Sequence, residues 1–237
     1  MCGRFVLFSG IDAVSGLLGA DPYGVGLAPS YNIAPTRPVV AAVRADDGTR
    51  RLAVLRWGLV PSWSKGPDSR FAMINARCET AAERPAYRAA WRRRRCLVPM
   101  DGFYEWERRP DGGKQPWFLR LAGGGVFAVA GLWEHWTAPG GEEIHSCTLL
   151  TTAANRAVAP VHDRMPVIVP PERFDAWMDP ESPAAELEAL CRPLPEAQVE
   201  LWPVGSRVNS ARHDGADLIG RDAEQPRSAT ETGRGGP

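Results

Sequence analysis

Apolar side chains along the chain fall into short runs or alternating patterns, each bounded by Gly, Pro or Asp. Nine segments read as strands: Val39–Arg44, Leu52–Trp57, Cys96–Met100, Gly102–Trp106, Trp117–Leu121, Val126–Ala130, Cys147–Thr151, Val167–Val169 and Val199–Val204. Asp111-Gly112-Gly113 and Gly123-Gly124-Gly125 lie between strand segments and predict hairpin turns. Helical signals are fewer. Thr80-Ala81-Ala82-Glu83 has capping-box form ahead of an Ala/Arg-rich stretch to Arg94, and Pro85 forces a late start or restart. Pro170–Met178 and Ser182–Cys191 are the other two, the latter with Ser182 as cap and Pro183 at the first helical position. Strands interrupted irregularly by short helices predict an α+β fold, a single domain on a mostly antiparallel or mixed β-sheet with a barrel-like core. The domain is expected over residues 1–220. Residues 221–237 have no apolar side chains beyond Ala and Pro and predict a disordered tail.

With 237 residues, 44% of them hydrophobic, the chain is long enough to bury a core without the help of disulfides or metal. Its 28 basic and 28 acidic side chains cancel, which taken alone argues against a nucleic-acid partner. The cancellation is uneven: residues 1–120 carry 19 Lys+Arg against 11 Asp+Glu, and residues 121–237 carry 9 against 17. Arg84, Arg88 and Arg92 to Arg95 form the densest basic stretch, which reads as a solvated helix face or as part of a surface for an anionic polymer. Only Lys65 and Lys114 are lysines, so few side-chain amines are available for Schiff-base chemistry.

Five cysteines without a C-x-x-C pair fit neither a disulfide framework nor a zinc ribbon, and they suggest a reducing compartment. The four histidines lack H-x-x-x-H spacing, and His145 with Cys147 is too little to hold a metal, so no metal or other cofactor is expected. Neither a signal peptide nor an apolar run of about 18 residues is visible, which predicts a cytoplasmic protein with no membrane partner. The G-x-S-x-G elbow, the P-loop and a helix-opening G-x-G-x-x-G are missing.

Cys2 stands out. Removal of Met1 would expose an α-amine and a thiol on adjacent carbons. With a reference pKa of about 7.7 to 8.0, that amine is partly neutral at pH 7 and can attack an aldehyde. The thiol can then add to the imine carbon and close a five-membered thiazolidine. The bland reading is that Cys is merely permissible after Met1. Glu105 lies between Tyr104 and Trp106 on a strand-like segment, where partial desolvation would raise its pKa toward a general-acid value; strand alternation equally allows an exposed surface Glu. His162, before Asp163-Arg164, reads as a proton shuttle or as a structural His held by its Asp. Asn75-Ala76-Arg77 combines an amide that can orient an intermediate with a guanidinium that can grip phosphate.

Together, Met1 to Phe5, Tyr31 to Thr36, Trp57 to Trp63, Asn75 to Arg77 with Glu79-Thr80, Arg95 to Pro99 leading into Asp101 to Trp106, Thr151 to Asn155, and His162 to Pro166 resemble the blocks of the SRAP family, the SOS-response-associated peptidases or abasic-site processing proteins. The blocks occur in family order, from the start of the chain to about residue 210. The resemblance implies that Cys2 forms a covalent thiazolidine with the ring-opened aldehyde of an abasic site in single-stranded DNA. It implies that Glu105 assists ring opening and proton transfer, that His162 shuttles protons, and that Asn75 holds the intermediate. Arg4, Arg77 and Arg164 would contact phosphates, Trp63 and Trp106 would support the unstacked strand, and Thr151 would join the DNA contacts. A monomer acting at the nucleoid is expected. Two other readings stay open: an autoproteolytic N-terminal-cysteine thiol peptidase, and a non-catalytic reader of damaged or modified bases.

Overall fold

Alternating β-branched and aromatic side chains favour extended backbone because they pack well on a pleated surface, and the computed structural model has strands at all nine expected segments. It describes residues 2–68 and 72–222. In chain order the strands are β1 (Arg4–Leu7), β2 (Ser30–Ile33), β3 (Pro38–Arg44), β4 (Arg50–Trp57), β5 (Asn75–Arg77), β6 (Arg95–Met100) and β7 (Gly102–Arg108). They continue with β8 (Lys114–Leu121), β9 (Phe127–Thr137), β10 (Glu143–Ala153), β11 (Arg164–Pro166), β12 (Ile168–Val169) and β13 (Val199–Pro203). Five short helices accompany them among the described residues: α1 (Ile11–Leu18), α2 (Cys78–Ala81), α3 (Arg88–Arg93), α4 (Phe174–Met178) and α5 (Ala184–Leu190). The expected α+β class with a barrel-like core is the class observed.

Five strands close on themselves in the order β10–β4–β3–β6–β9 and back to β10. The β4–β10 contact is parallel and the others are antiparallel. Closure removes the unpaired edges that such a sheet would otherwise expose. β10 changes partners along its length. It pairs with β9 from Glu143 to Leu149, then takes β5 alongside Leu149 to Thr151 and β11 alongside Thr151 to Ala153. A second, antiparallel sheet runs β13–β8–β7–β1–β2. Phe5 of β1 meets Trp57 of β4 edge-on at 5.1 Å, so both sheets share one core.

Four local expectations change. Gly123 to Gly125 do not close a hairpin, because β8 and β9 belong to different sheets; all three have positive φ and swing the chain from one sheet to the other. Thr80 lies inside α2 instead of capping a helix, and the break comes around Pro85, before α3. The Ser182 hydroxyl donates to the Ala176 carbonyl at 2.6 Å, leaving Pro183 at the cap position of α5. Arg95, at the end of the basic run, is only 3% exposed and donates to the carbonyls of Trp91, Trp177 and Asp179, tying β6 to α4. Burial lowers its pKa to about 10, so it stays charged at neutral pH.

Cys78 and Cys191 form a disulfide, with Cα atoms 5.9 Å apart across 113 residues of sequence. The bridge runs against the expectation of a reducing compartment, although one pair among five cysteines is still no framework. Cys2, Cys96 and Cys147 are free and buried. The expected tail lies, from residue 223 onward, outside the described residues, as does Met1.

Candidate active site

The entry of β1 sets the site. Arg4 faces Tyr104 and Phe5 faces Phe103 in antiparallel register, and Cys2, just before β1, packs into the core with Phe5 and Phe103 and feels the charge of Glu105 on β7. Gly102 lets β7 approach β8: a Cβ there would collide with the Phe118 ring and sit 2.8 Å from the Leu119 carbonyl. Asp101 holds the exit of β1, accepting from the Phe8 and Ser9 amides at 2.7 Å each and from the Ser9 hydroxyl at 2.6 Å.

Cys2 is fully buried, and its carbonyl accepts from Asn75 Nδ2 at 2.8 Å. Asn75 arrives on β5, which lies parallel to the departing end of β10. Its Oδ1 is buried with no hydrogen-bond partner among the described residues. Burial pushes the Cys2 thiol up, and the Glu105 carboxylate pushes it further. Glu105 is 2% exposed, which decides against a surface Glu. Alternation misleads here because both faces of β7 are covered: Tyr104, on the opposite face, is also fully buried. Burial raises the Glu105 carboxyl to about 7.

His162 follows the turn after β10. The Arg164 amide donates to its Nδ1 at 3.0 Å, and Asp163 Oδ1 lies 2.9 Å from the same nitrogen. Burial keeps the imidazole below its usual pKa, and the neighbouring Asp163 contributes to the rise at Glu105. Cys2, Asn75 and Glu105 are thus directly linked, with His162 and Asp163 at the margin of the group.

The remaining expected residues divide. Arg77 is exposed on β5, and Trp63, in the loop after β4, is 68% exposed. Trp106 is half-buried, its indole donating to Asn209 Oδ1 at 2.7 Å. The Arg4 guanidinium lies 6.0 Å from the Trp106 ring centre and donates to Asn32 Oδ1 at 2.6 Å and the Val208 carbonyl at 2.9 Å. Arg164 is already engaged: Glu79 takes both its terminal nitrogens at 2.8 Å, and the Thr151 carbonyl takes one at 2.6 Å. Those bonds hold the Glu79 carboxyl below the usual carboxylate range. Thr151 is 1% exposed with its hydroxyl 3.4 Å from the Ala76 carbonyl. Its side chain turns inward, toward β5.

Sequence reasoning did not single out Asn32, although it lies inside a quoted block. Buried, it also donates to the Ser210 and His213 carbonyls at 3.0 and 2.7 Å, seating the 208–213 segment beneath Arg4. Nor did spacing reveal that His135, Glu143 and His145 converge on the β9–β10 hairpin. No helix among the described residues is long and apolar enough to cross a membrane.

Comparison with known proteins gives one answer. Residues 1–211 match the family model described as SOS response associated peptidase (SRAP). The chain is 39% identical over 223 residues to the abasic site processing protein YoqW of Bacillus subtilis, covering 92% of this chain and 99% of that protein. It is 34% identical over 223 residues to the abasic site processing protein HMCES of Gallus gallus, covering 81% and 66% respectively. A crystal structure of a protein from Bacteroides thetaiotaomicron superposes with a TM-score of 0.84 over 93% of this chain and 100% of that one, at 22% identity, which establishes the shared fold.

Proposed function

The chain belongs to the SOS response associated peptidase family, and from that premise we propose that it processes abasic sites in DNA by a covalent bond through Cys2. The relatives' shared name supplies the lesion; the arrangement around Cys2 supports the chemistry. The observation that carries it is Glu105: a carboxyl buried against the Cys2 thiol and raised to about 7 is a proton donor at neutral pH.

Glu105 donates a proton to the ring oxygen of the sugar and takes back the proton of the anomeric hydroxyl, which opens the ring, and once Met1 is removed the α-amine attacks the aldehyde so exposed. The carbinolamine loses water to give an imine. The thiol sulfur then bonds to the imine carbon while its proton passes by way of Glu105 or His162 to the nitrogen, closing the thiazolidine. Asn75 positions the residue through the Cys2 carbonyl, and its unpartnered Oδ1 faces the chemistry as an acceptor for an N–H or O–H of the intermediate. Ring closure removes the electron-poor imine that would otherwise promote β-elimination and strand cleavage, so lyase chemistry is held back. The reaction uses only groups of the protein and the lesion.

Exposed Trp63, with Trp106 beneath Arg4, suits unpaired bases that stack on aromatic faces, and so favours single-stranded DNA. Arg77 and Arg4 are the cations best placed for phosphate, with Arg164 held in reserve by Glu79. The protein acts as a monomer in the cytoplasm, where it meets chromosomal DNA. The peptidase named by the family would use the same amine and thiol, and we confine that activity to Met1. Intact-mass measurement before and after mixing with an abasic single-stranded oligonucleotide tests the proposal. The expected product lacks Met1 and carries the oligonucleotide through denaturation. An adduct that persists in Cys2→Ala overturns the chemistry, and salt-sensitive binding without a mass increase favours a non-catalytic reader.

A further inference from the structure

Cross-strand pairing gathers three side chains that sequence spacing keeps apart. In the β9–β10 hairpin His135 lies directly opposite His145, and Thr137 opposite Glu143. Residues two apart on a strand share a face, as do directly opposed residues, so Glu143, His145 and His135 project together. Their ligand atoms lie within 4.8 Å of one another. His135 Nε2 is 3.3 Å from Glu143 Oε1, and the two imidazole centres are 4.9 Å apart. The Nε2 atom of His135 is itself buried and makes no hydrogen bond of acceptable geometry. Its neighbour across this short gap is a carboxylate oxygen, with the exposed His145 ring alongside.

We propose that this hairpin binds one zinc-class divalent ion through His135, Glu143 and His145. Zinc holds nitrogen and oxygen ligands at about 2.0–2.2 Å, which in a tetrahedron separates the donors by roughly 3.3–3.5 Å. The His135–Glu143 contact already has that span, and rotation of the exposed His145 ring closes the remainder. Two imidazoles and one carboxylate suit zinc, nickel or copper, whereas calcium and magnesium prefer all-oxygen shells. Three protein ligands leave a fourth position facing solvent, open to water or to an oxygen donor from another molecule. The site is separate from the Cys2 chemistry: Leu149, which pairs with Asn75, is four residues further along β10 than His145, roughly 13 Å at the rise of a strand.

Cobalt, a spectroscopic substitute for zinc, distinguishes this site from thiol chelation. The titration is made on the full chain carrying Cys2→Ala, so that the terminal amine and thiol cannot hold the ion together. One equivalent of cobalt should give visible d–d bands without a thiolate charge-transfer band, and added zinc should displace it. Trp133, whose ring centre is 6.2 Å from that of His145, should be quenched in parallel. Adding His145→Ala or His135→Ala should weaken binding by more than the roughly 10–100-fold that loss of an outer-shell partner costs. Both rings lie on the hairpin surface, and circular dichroism will verify that each variant is folded. Absence of saturable binding would leave His135 and Glu143 as an ion pair and overturn the proposal. So would cobalt binding with a thiolate band, or binding unchanged by both His substitutions.

Discussion

The barrel and the strands that carry the chemistry are held by different forces. Leu97, Val98, Ala130, Leu132 and Leu149 in β6, β9 and β10 are fully buried, and the barrel owes its shape to apolar packing. β1, β5 and β11 are three or four residues long, and although Phe5, Val6, Leu7 and Met165 are buried among them, packing alone does not aim so short a strand. They are placed by polar contacts: Asn75 to the Cys2 carbonyl, Arg4 to Asn32, and Arg164 to Glu79. Apolar burial is non-directional and tolerates exchange of similar volumes, whereas a hydrogen bond fixes a donor and acceptor in distance and angle. The barrel therefore keeps the shape, and the short strands keep the aim.

Substitutions in the two regions should separate stability from chemistry. The largest effect is expected from Cys2→Ala, which abolishes the denaturation-resistant adduct while moving the thermal midpoint far less than a barrel variant does. Glu105→Gln should slow adduct formation by about 10²–10⁴-fold and change its pH profile. In the wild type the amine gains reactivity as pH rises, while Glu105 loses its proton above about 7, so the rate passes through a maximum. In the Gln variant the alkaline decline disappears. A raised folded pKa also makes stability fall as pH rises from about 4.3, the unfolded value, through about 7. Denaturant titrations of Glu105→Gln should be flatter over that window.

Leu97→Ala should cost about 2–5 kcal/mol of unfolding free energy yet leave the rate per folded molecule unchanged. A proportionate loss of rate would mean that the barrel also sets the aim. Smallest is Glu79→Gln. The pair is part-exposed, 13% at Arg164 and 46% at Glu79, so its loss costs about 0.2–1 kcal/mol. It should free one cation and steepen the salt dependence of single-strand binding by roughly 0.7 in slope. An unchanged slope would place Arg164 away from the phosphates.

Legibility in the sequence follows the same division. Nine strands were readable because short apolar runs bounded by Gly, Pro or Asp report a buried pleated segment, as in β3 and β6. β1, β2, β5 and β11 were not, because tertiary contacts decide a strand of three or four residues. Glu105 was named for its chemistry, but its burial depended on β7 being covered on both faces. Thr151 shows the converse: the family block points to it, but only the fold shows its hydroxyl turned inward. The Cys78–Cys191 bridge and the His135–Glu143–His145 convergence were hidden because each depends on which strands and helices become neighbours.

That bridge also determines what breakage of the chain can do. It joins the start of α2, next to Arg77, to the residue after α5, and everything from β6 to β12 lies on the loop it closes. The turn between Ala138 and Glu142 lies on that loop, exposed from Pro139 to Glu142, and offers a protease its backbone. A cut there opens a ring instead of releasing a fragment. The nicked protein should migrate as one species until it is reduced, with the strand that bears Asn75 still tethered to α5.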